Sequence, residues 1–363
     1  MSITDQLLPI HESARRLSPG ADGIIFSSRV RLARNLKHHP FPGWAKKTDR
    51  IKVLETLFPI VQSLPQISEA VAEKMDALTP LEKQVLVERH LISREHAAKT
   101  AGSGIVLKKD ETICVMINEE DHLRMQVLLP GFSVHEAWRI MDELDSALEE
   151  RVEYAFQEEL GYLTACPTNV GTGIRVSVMM HLPGLVLSEQ MNPVIQAANK
   201  LGMTVRGLYG EGTDALGNLF QVSNQSTLGD SETTIIERLE KITRQILEAE
   251  QNARAMLLDK HRRMVYNHIG RAYGILSNSY AISSKEAMNL ISLLRLGVDL
   301  GLFPGLEKGL LLELFTLVQP AHLQLWHGKK LAGEVRDAVR ADLIRSKLRG
   351  IAFPDPPCPE ANC

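Results

Sequence analysis

The sequence predicts an α+β fold: a mostly antiparallel β-sheet flanked by helices, followed by an all-helical C-terminal domain. Three observations carry this. Between residues 161 and 225, short β-prone segments (GYLTACP, IRVSVMMHL, MTVRGLYG, NLFQVSNQ) are punctuated by Gly, Pro and Asn. Only one helical stretch interrupts them, so the regular βα alternation of a doubly wound parallel sheet is missing. From residue 231 to residue 350 the chain reads as helix almost throughout. At 363 residues it has room for two domains.

Taken in order, residues 1–21 form an N-terminal segment, and MSITDQLLPIHE lacks the basic and apolar regions of a signal peptide. IIFSSRVRLARNL, 24–36, begins as a strand and turns strongly basic. Residues 49–99 show helical spacing in DRIKVLETLFPIVQSL and LEKQVLVERHLI, a pattern broken by Gly102 and Gly104. Ile113–Ile117 is a buried strand. SVHEAWRIMDELDSALEERV is an amphipathic helix, with Ser133 as N-cap and Glu136 completing a capping box. Within the strand block SEQMNPVIQAANKLG is a helix, started by Ser188 and ended by Gly202. A long helix runs from Ser231 to about Leu258, and the loop GLFPGLEKG interrupts the helices that follow. Residues 351–363 are Pro-rich and predict a disordered tail. The mixed domain is placed at 22–254 and the helical domain at 255–350.

Composition narrows the function. A net charge of -3 argues against a wholesale nucleic-acid or membrane binder, although the residues after Ala255 carry a small basic excess. No apolar run approaches the roughly 20 residues of a membrane span. The cysteines, Cys114, Cys166, Cys358 and Cys363, form no CxxC pair, so neither a zinc site nor a disulfide framework is indicated, and a cytoplasmic protein with reduced thiols is expected.

The chemistry lies in arginines and acids. Arg29, Arg31, Arg124, Arg175 and Arg206 sit at strand ends or beside turn residues. Arg29 and Arg31 share a strand face, where two guanidiniums repel unless an anion lies between them. A polyphosphate serves, because each planar fork binds phosphate oxygens bidentately. Walker A and kinase HRD or DFG motifs are absent, so any nucleotide phosphates are clamped by arginines.

Four blocks, SSRVRLAR (27–34), INEEDHLRM (117–125), CPTNVGTGIR (166–175) and RGLYGEGTD (206–214), resemble the phosphagen kinase family in sequence and in order. The usual separate helical N-terminal domain is missing, RGLYGEGTD replaces an RGTRGEHTE-like segment, and about a hundred helical residues follow the catalytic region. These departures resemble the bacterial McsB-type branch of protein arginine kinases.

The resemblance implies a phosphagen-kinase catalytic fold and transfer of the ATP γ-phosphoryl group to a guanidinium nitrogen. It places ATP on Ser27, Ser28, Arg29, Val30 and Arg31, on His90 and Arg124, on Arg175, Val176, Ser177, Val178 and Met179, and on Arg206, Gly207, Leu208, Tyr209 and Gly210. Metabolic members usually carry His where Met179 stands. Glu120 and Glu211 match the acids that hold the guanidinium, and Cys166 matches a thiolate that orients it. Cys114, inside an apolar strand, is expected to be inert. Mg²⁺ is implied on phosphate oxygens and water, without a protein ligand.

RDAVRA, 336–341, puts Arg336 and Arg340 one helical turn apart, beside Asp337 and a buried stripe of Val335, Val339 and Leu343. Cations suited to phosphate beside a carboxylate suited to guanidinium would grip phosphoarginine, a role the McsB-type branch gives this motif along with allosteric activation. The branch further implies stress-response roles: protein substrates with exposed arginines, degradation by a ClpC-type unfoldase, a CtsR-like repressor, a McsA-like activator and a homodimer or higher oligomer. Two other readings stay open: a kinase of a small free guanidino compound, and a non-catalytic adaptor that reads phosphoarginine.

Overall fold

The structure is a computed structural model that describes residues 3–9, 12, 23–208 and 215–352. Of the expected tail, 351–363, residues 353–363 with Cys358 and Cys363 lie outside the described residues, as do Tyr209, Gly210 and Glu211.

The elements run α1 (Ile3–Gln6), β1 (Ile25–Arg34), α2 (Lys47–Gln62), β2 (Ala70–Lys74), α3 (Pro80–Glu88), α4 (Arg94–Ala97), β3 (Gly104–Lys108), β4 (Ile113–Ile117), β5 (Leu123–Pro130), α5 (Val134–Glu149), β6 (Phe156–Gln157), β7 (Gly161–Tyr162) and β8 (Ile174–His181). Next come α6 (Pro183–Leu187), α7 (Met191–Lys200), β9 (Met203–Gly207), β10 (Leu219–Asn224) and α8 (Glu232–Lys260). The C-terminal helices are α9 (Arg262–Asn278), α10 (Ser284–Asp299), α11 (Lys308–Leu317), α12 (Pro320–His327) and α13 (Gly333–Lys347). Eight strands form one sheet in the order β2-β3-β4-β5-β1-β8-β10-β9. The pairings of β1 with β5 and β8, and of β2 through β5 in turn, are antiparallel. The predicted class therefore holds.

Two compact units divide the chain, and they interleave: Met1–Met180, Val194–Val205 and Gln221–Gln245 make one; His181–Pro193, Arg206–Phe220 and Ile246–Cys363 the other.

In the first unit, β1 is the organising strand. Val30 and Leu32 are fully buried, as are Met125 and Val127 on β5 and Val176 and Val178 on β8, so one sheet face is continuous apolar core. Helix α5 packs on β1 and β5, burying Val134, Ala137, Met141, Leu144 and Leu148 at three and four spacing. The alternate residues of β1, among them Arg29 and Arg31, occupy the other face.

Several local expectations are corrected. The helical reading of 49–99 hides a strand, β2, whose Ala-Glu-Lys composition favours helix but whose ladder to β3 decides otherwise. The glycines read as a break include Gly104, the first residue of β3. GYLTACP yields only the two-residue β7. Ser133 is an N-cap without a box: its hydroxyl donates to the Pro130 carbonyl, and Glu136 pairs with Arg139. Ser188 ends α6 rather than starting α7, donating to the Gly184 carbonyl.

The second unit contains the C-terminal helices, packed through Ile269, Leu276, Ile291, Leu294, Leu311, Leu314 and Ile344. Asp299 accepts from Arg295 Nε at 3.1 Å, Lys308 Nζ at 3.1 Å and Arg254 Nη1 at 3.4 Å; Arg254 Nε also donates to Glu250 at 2.6 Å. Val335 is 49% exposed and Val339 half-buried, so the expected buried stripe shrinks to Leu343.

Candidate active site

Register gathers four of the five arginines. Arg31 stands opposite Arg175 across the β1–β8 ladder. On the other side Arg31 faces Gln126, two residues from Arg124, so Arg29, Arg31, Arg124 and Arg175 share the polar sheet face. Arg29 and Arg31 lie in the middle of a ten-residue strand, not at its end.

Neighbours fix them. Arg29 donates through Nη2 to Gln221 Oε1 at 2.6 Å and through Nε to Ser177 Oγ at 3.4 Å. Arg124 Nη1 donates to Glu119 Oε2 at 2.7 Å. The Arg31 Nε is buried without a hydrogen-bond partner. Burial, then the charges of Arg29, Arg124 and Arg175, pull the Arg31 pKa well down. Guanidinium remains protonated in proteins, so the strain appears as an unmet demand for negative charge. Cations held in place around an orphaned donor suit the oxygens of a polyphosphate.

The Asn118–His122 turn connects this face to the acids. The Asn118 amide donates to the His122 carbonyl at 2.9 Å, with Asn118 in the left-handed region at φ 56°. Its side-chain amide donates to the Arg50 and Gly102 carbonyls. Glu119 is turned inward, accepting from Ser93 Oγ and Arg124; burial pushes its carboxyl up, but those two groups hold it below the usual range. Glu120 is turned outward, its side chain 49% exposed and 3.8 Å from Arg124 Nη1. Partial burial, then the Asp121 charge, raises its pKa.

Asp121 and His122 are braces. Asp121 Oδ1 accepts from Asn35 Nδ2 at 2.6 Å and from the Ala165 amide at 2.7 Å, which fixes the residue before Cys166. His122 Nδ1 accepts from the Leu36 amide at 3.0 Å and Nε2 donates to the Pro40 carbonyl at 3.1 Å. Burial lowers its pKa to about 4, so the ring is neutral.

Cys166 is half-buried, with Sγ 3.0 Å from Thr168 Oγ1. Cys114 is fully enclosed, and burial pushes its thiol up. Glu120, Thr164 and Ala165 line a pocket of about 780 Å³ with Phe41, Gly43, Trp44, Glu95, Lys99, Glu119 and Arg124.

The other expected nucleotide residues divide by face. Ser177 and the half-buried Met179 share the arginine face, and Ser27 pairs with Met179 across a bulge. Val30, Val176 and Val178 put their side chains in the core. Ser28 is committed to structure: its hydroxyl donates to the Gly131 carbonyl and accepts from the Ser133 amide, both at 2.9 Å. His90 is not on a helix; it lies past the end of α3 with φ 60°, its carbonyl accepting from Gln126 Nε2 at 2.8 Å. In the second unit, Arg206 is exposed, Gly207 ends β9, and the Leu208 amide donates to the Leu219 carbonyl at 2.8 Å.

The C-terminal motif also differs internally. Arg340 is buried, donating to the Val318 and Ile282 carbonyls, both at 2.7 Å, and to Asp337. Arg336 is half-buried. Residues the sequence reading passed over include Glu119, Ser93, Gln126 and Gln221. Only Glu119 left a signal there, as an acid five residues before Arg124 inside the 117–125 block.

Comparison with known proteins gives the family and the fold. Residues 52–253 match the family model described as "ATP:guanido phosphotransferase, C-terminal catalytic domain", and residues 262–357 match "Protein-arginine kinase McsB C-terminal domain". A protein-arginine kinase of Moorella thermoacetica is 48% identical over 336 residues, covering 92% of this chain and 95% of that protein. One of Bacillus subtilis is 46% identical, covering 92% of each. Among solved structures, the duplicated taurocyamine kinase of Schistosoma mansoni with bound transition-state analogue components superposes with TM-score 0.58 at 26% identity, covering 65% of this chain and 33% of that one. A lombricine kinase gives TM-score 0.57 at 23% identity over 69% of this chain and 72% of its own, a likeness of fold.

Proposed function

The chain belongs to the ATP:guanido phosphotransferase family, in its McsB-type branch, and from that premise we propose that it transfers the γ-phosphoryl group of ATP to arginine side chains of proteins. The observation that carries this is the arginine face: Arg29, Arg31, Arg124 and Arg175 on one sheet surface around an orphaned buried donor. The same reading gives nucleotide roles to Ser27, Ser177, Met179 and His90, and to the segment Arg206, Gly207, Leu208, Tyr209 and Gly210. Phosphoryl transfer depends on positioning and fixed charge, and preset guanidiniums provide both.

Glu120, with Glu211, holds the acceptor guanidinium. The raised pKa of Glu120 suits a group that accepts a proton as the nitrogen bonds to phosphorus and the phosphorus–oxygen bond to ADP breaks. Glu119 holds Arg124 in place and is not the acceptor's partner. Cys166, beside the Thr168 hydroxyl, orients the acceptor electrostatically. Mg²⁺, when bound, shields the phosphate charge; no protein ligand is assigned to it.

Arg336, Asp337 and Arg340 recognise phosphoarginine in the helical region 255–350 and regulate the catalytic region 22–254. Arg340 and Asp337 supply the fixed part of that site and Arg336 the accessible cation. We place the enzyme in the cytoplasm as a homo-oligomer in a stress response, with a McsA-like activator, a CtsR-like repressor among its substrates, and a ClpC-type unfoldase that consumes the product. Among the described residues no helix is long and apolar enough to cross a membrane.

The test supplies labelled ATP and Mg²⁺ with either free arginine or an unfolded arginine-containing protein. An acid-labile phosphorus–nitrogen product on the protein is expected. Label on the amino acid alone overturns the protein-kinase reading, and label on neither overturns transfer altogether.

A further inference from the structure

The pocket holding Glu120 is larger than one guanidino group requires. About 780 Å³ is the size of a site for a drug-like ligand, so the chain on either side of a target arginine has room to enter. The lining is chemically mixed. Trp44 in that lining is 91% exposed, an unusual position for so large an aromatic surface. Glu95 on α4, also in the lining, is exposed, while Lys99 just beyond it is half-buried.

Trp44 sits on a rigid platform. Its amide and that of Ala45 both donate to the Phe41 carbonyl at 2.9 Å. The Phe41 ring meets His122 edge-on at 6.2 Å, and His122 donates to the Pro40 carbonyl. His122 also closes the turn that presents Glu120. The backbone that carries the indole is therefore tied, through one neutral histidine, to the same brace as the acceptor-binding acid. An exposed indole on a fixed backbone offers stacking area to peptide groups and to cations, and an aromatic side chain has few rotamers to lose.

We propose that Trp44 and Glu95 determine substrate specificity: Trp44 lays the chain flanking the target arginine across its indole face, and Glu95 favours a second cationic side chain beside it. The preferred substrate is an extended basic peptide segment. This rests on reading the pocket as the arginine acceptor site.

The test uses peptides with a single arginine flanked by neutral, lysine or glutamate residues, with free arginine as a further acceptor. Wild type should favour the lysine-flanked peptides. Trp44→Ala should raise KM for every peptide about tenfold, the scale of one stacking or cation–π contact. KM for ATP should stay where it was, and Trp44→Phe should recover most of the loss. Glu95→Lys should reverse the order of lysine- and glutamate-flanked peptides. Melting curves matching wild type confirm that the variants fold. If wild type labels peptides but both variants keep its KM values and its order of preference, the inference is wrong. If wild type labels no peptide, the acceptor-site reading fails first and takes the inference with it.

Discussion

At the scale of single residues, adjacent carboxylates do different work because one is buried and the other is not. Glu119 is closed against Ser93 and Arg124; Glu120 faces the pocket. Glu120→Gln should lower kcat about 10²- to 10³-fold, or about 3–4 kcal/mol of transition-state stabilisation, without shifting the melting temperature; steady-state kinetics checks this. Glu119→Ala should instead cost about 2–3 kcal/mol of stability at neutral pH, because the largely buried Arg124 loses its close, charge-assisted partner and keeps only the partly exposed Glu120 at 3.8 Å. Glu119 has a depressed folded-state pKa, so its contribution is complete above the ordinary glutamate value of about 4.3 and is lost as pH falls through the lower folded value. Denaturant titrations of wild type and variant should converge in that acidic range. The histidines set a second window. Burial lowers His96 and His122 to about 4, against about 6.5 in the unfolded chain. The unfolded state therefore binds more protons between those values, and stability should fall on acidification from pH 6.5 to 4, by up to about 2.7 kcal/mol per unit for two such groups.

At the scale of elements, β1 matters most, because its register brings Arg29 and Arg31 beside Arg124 and Arg175. The approach to Arg175 is set by Gly173, at φ 70°, where an added Cβ would lie 2.6 Å from Arg34 Nη1 and 2.7 Å from the Ala33 carbonyl. Arg34 cannot easily move: it is paired with Asp145 at 2.6 Å and stacked 3.5 Å over Tyr162. Gly173→Ala should thus cost about 1–3 kcal/mol in thermal unfolding, and it should weaken nucleotide binding through the displaced Arg175. Much of this element was legible in sequence: SSRVRLAR reads as a strand, and period two places both arginines on one face. Their partners were not legible, because register is decided by cross-strand packing. The strand β2 stayed hidden because Ala-Val-Ala-Glu-Lys resembles helix until β3 pairs with it. The outward tilt of Glu120 and inward tilt of Glu119 were also invisible, since both are read only from burial.

At the scale of the whole chain, the sheet class, the long helix α8 and the C-terminal helices could be read from periodicity, while the interleaving of the two units could not, because it depends on contacts between segments distant in sequence. The RDAVRA motif shows the limit of spacing arguments. Helical periodicity made Arg336 and Arg340 equivalent, yet Arg340 is buried against the Val318 and Ile282 carbonyls and Asp337, whereas Arg336 is half-buried. A buried guanidinium that satisfies main-chain acceptors from two other segments is part of the packing of α13. Replacing it by Ala strips those carbonyls of a charged donor, and about 3 kcal/mol of stability should go with it. Arg336→Ala should leave the melting temperature within about 1 °C of wild type. If this region binds phosphoarginine, titration with the free amino acid should show Arg336→Ala losing affinity at unchanged stability and Arg340→Ala losing both. Equal stability of the two variants would show that the buried contacts of Arg340 contribute nothing to the fold. Unchanged affinity in Arg336→Ala would remove the accessible cation from the proposed site, and an anion could not then be held there by Arg340 alone while its donors remain committed to the chain.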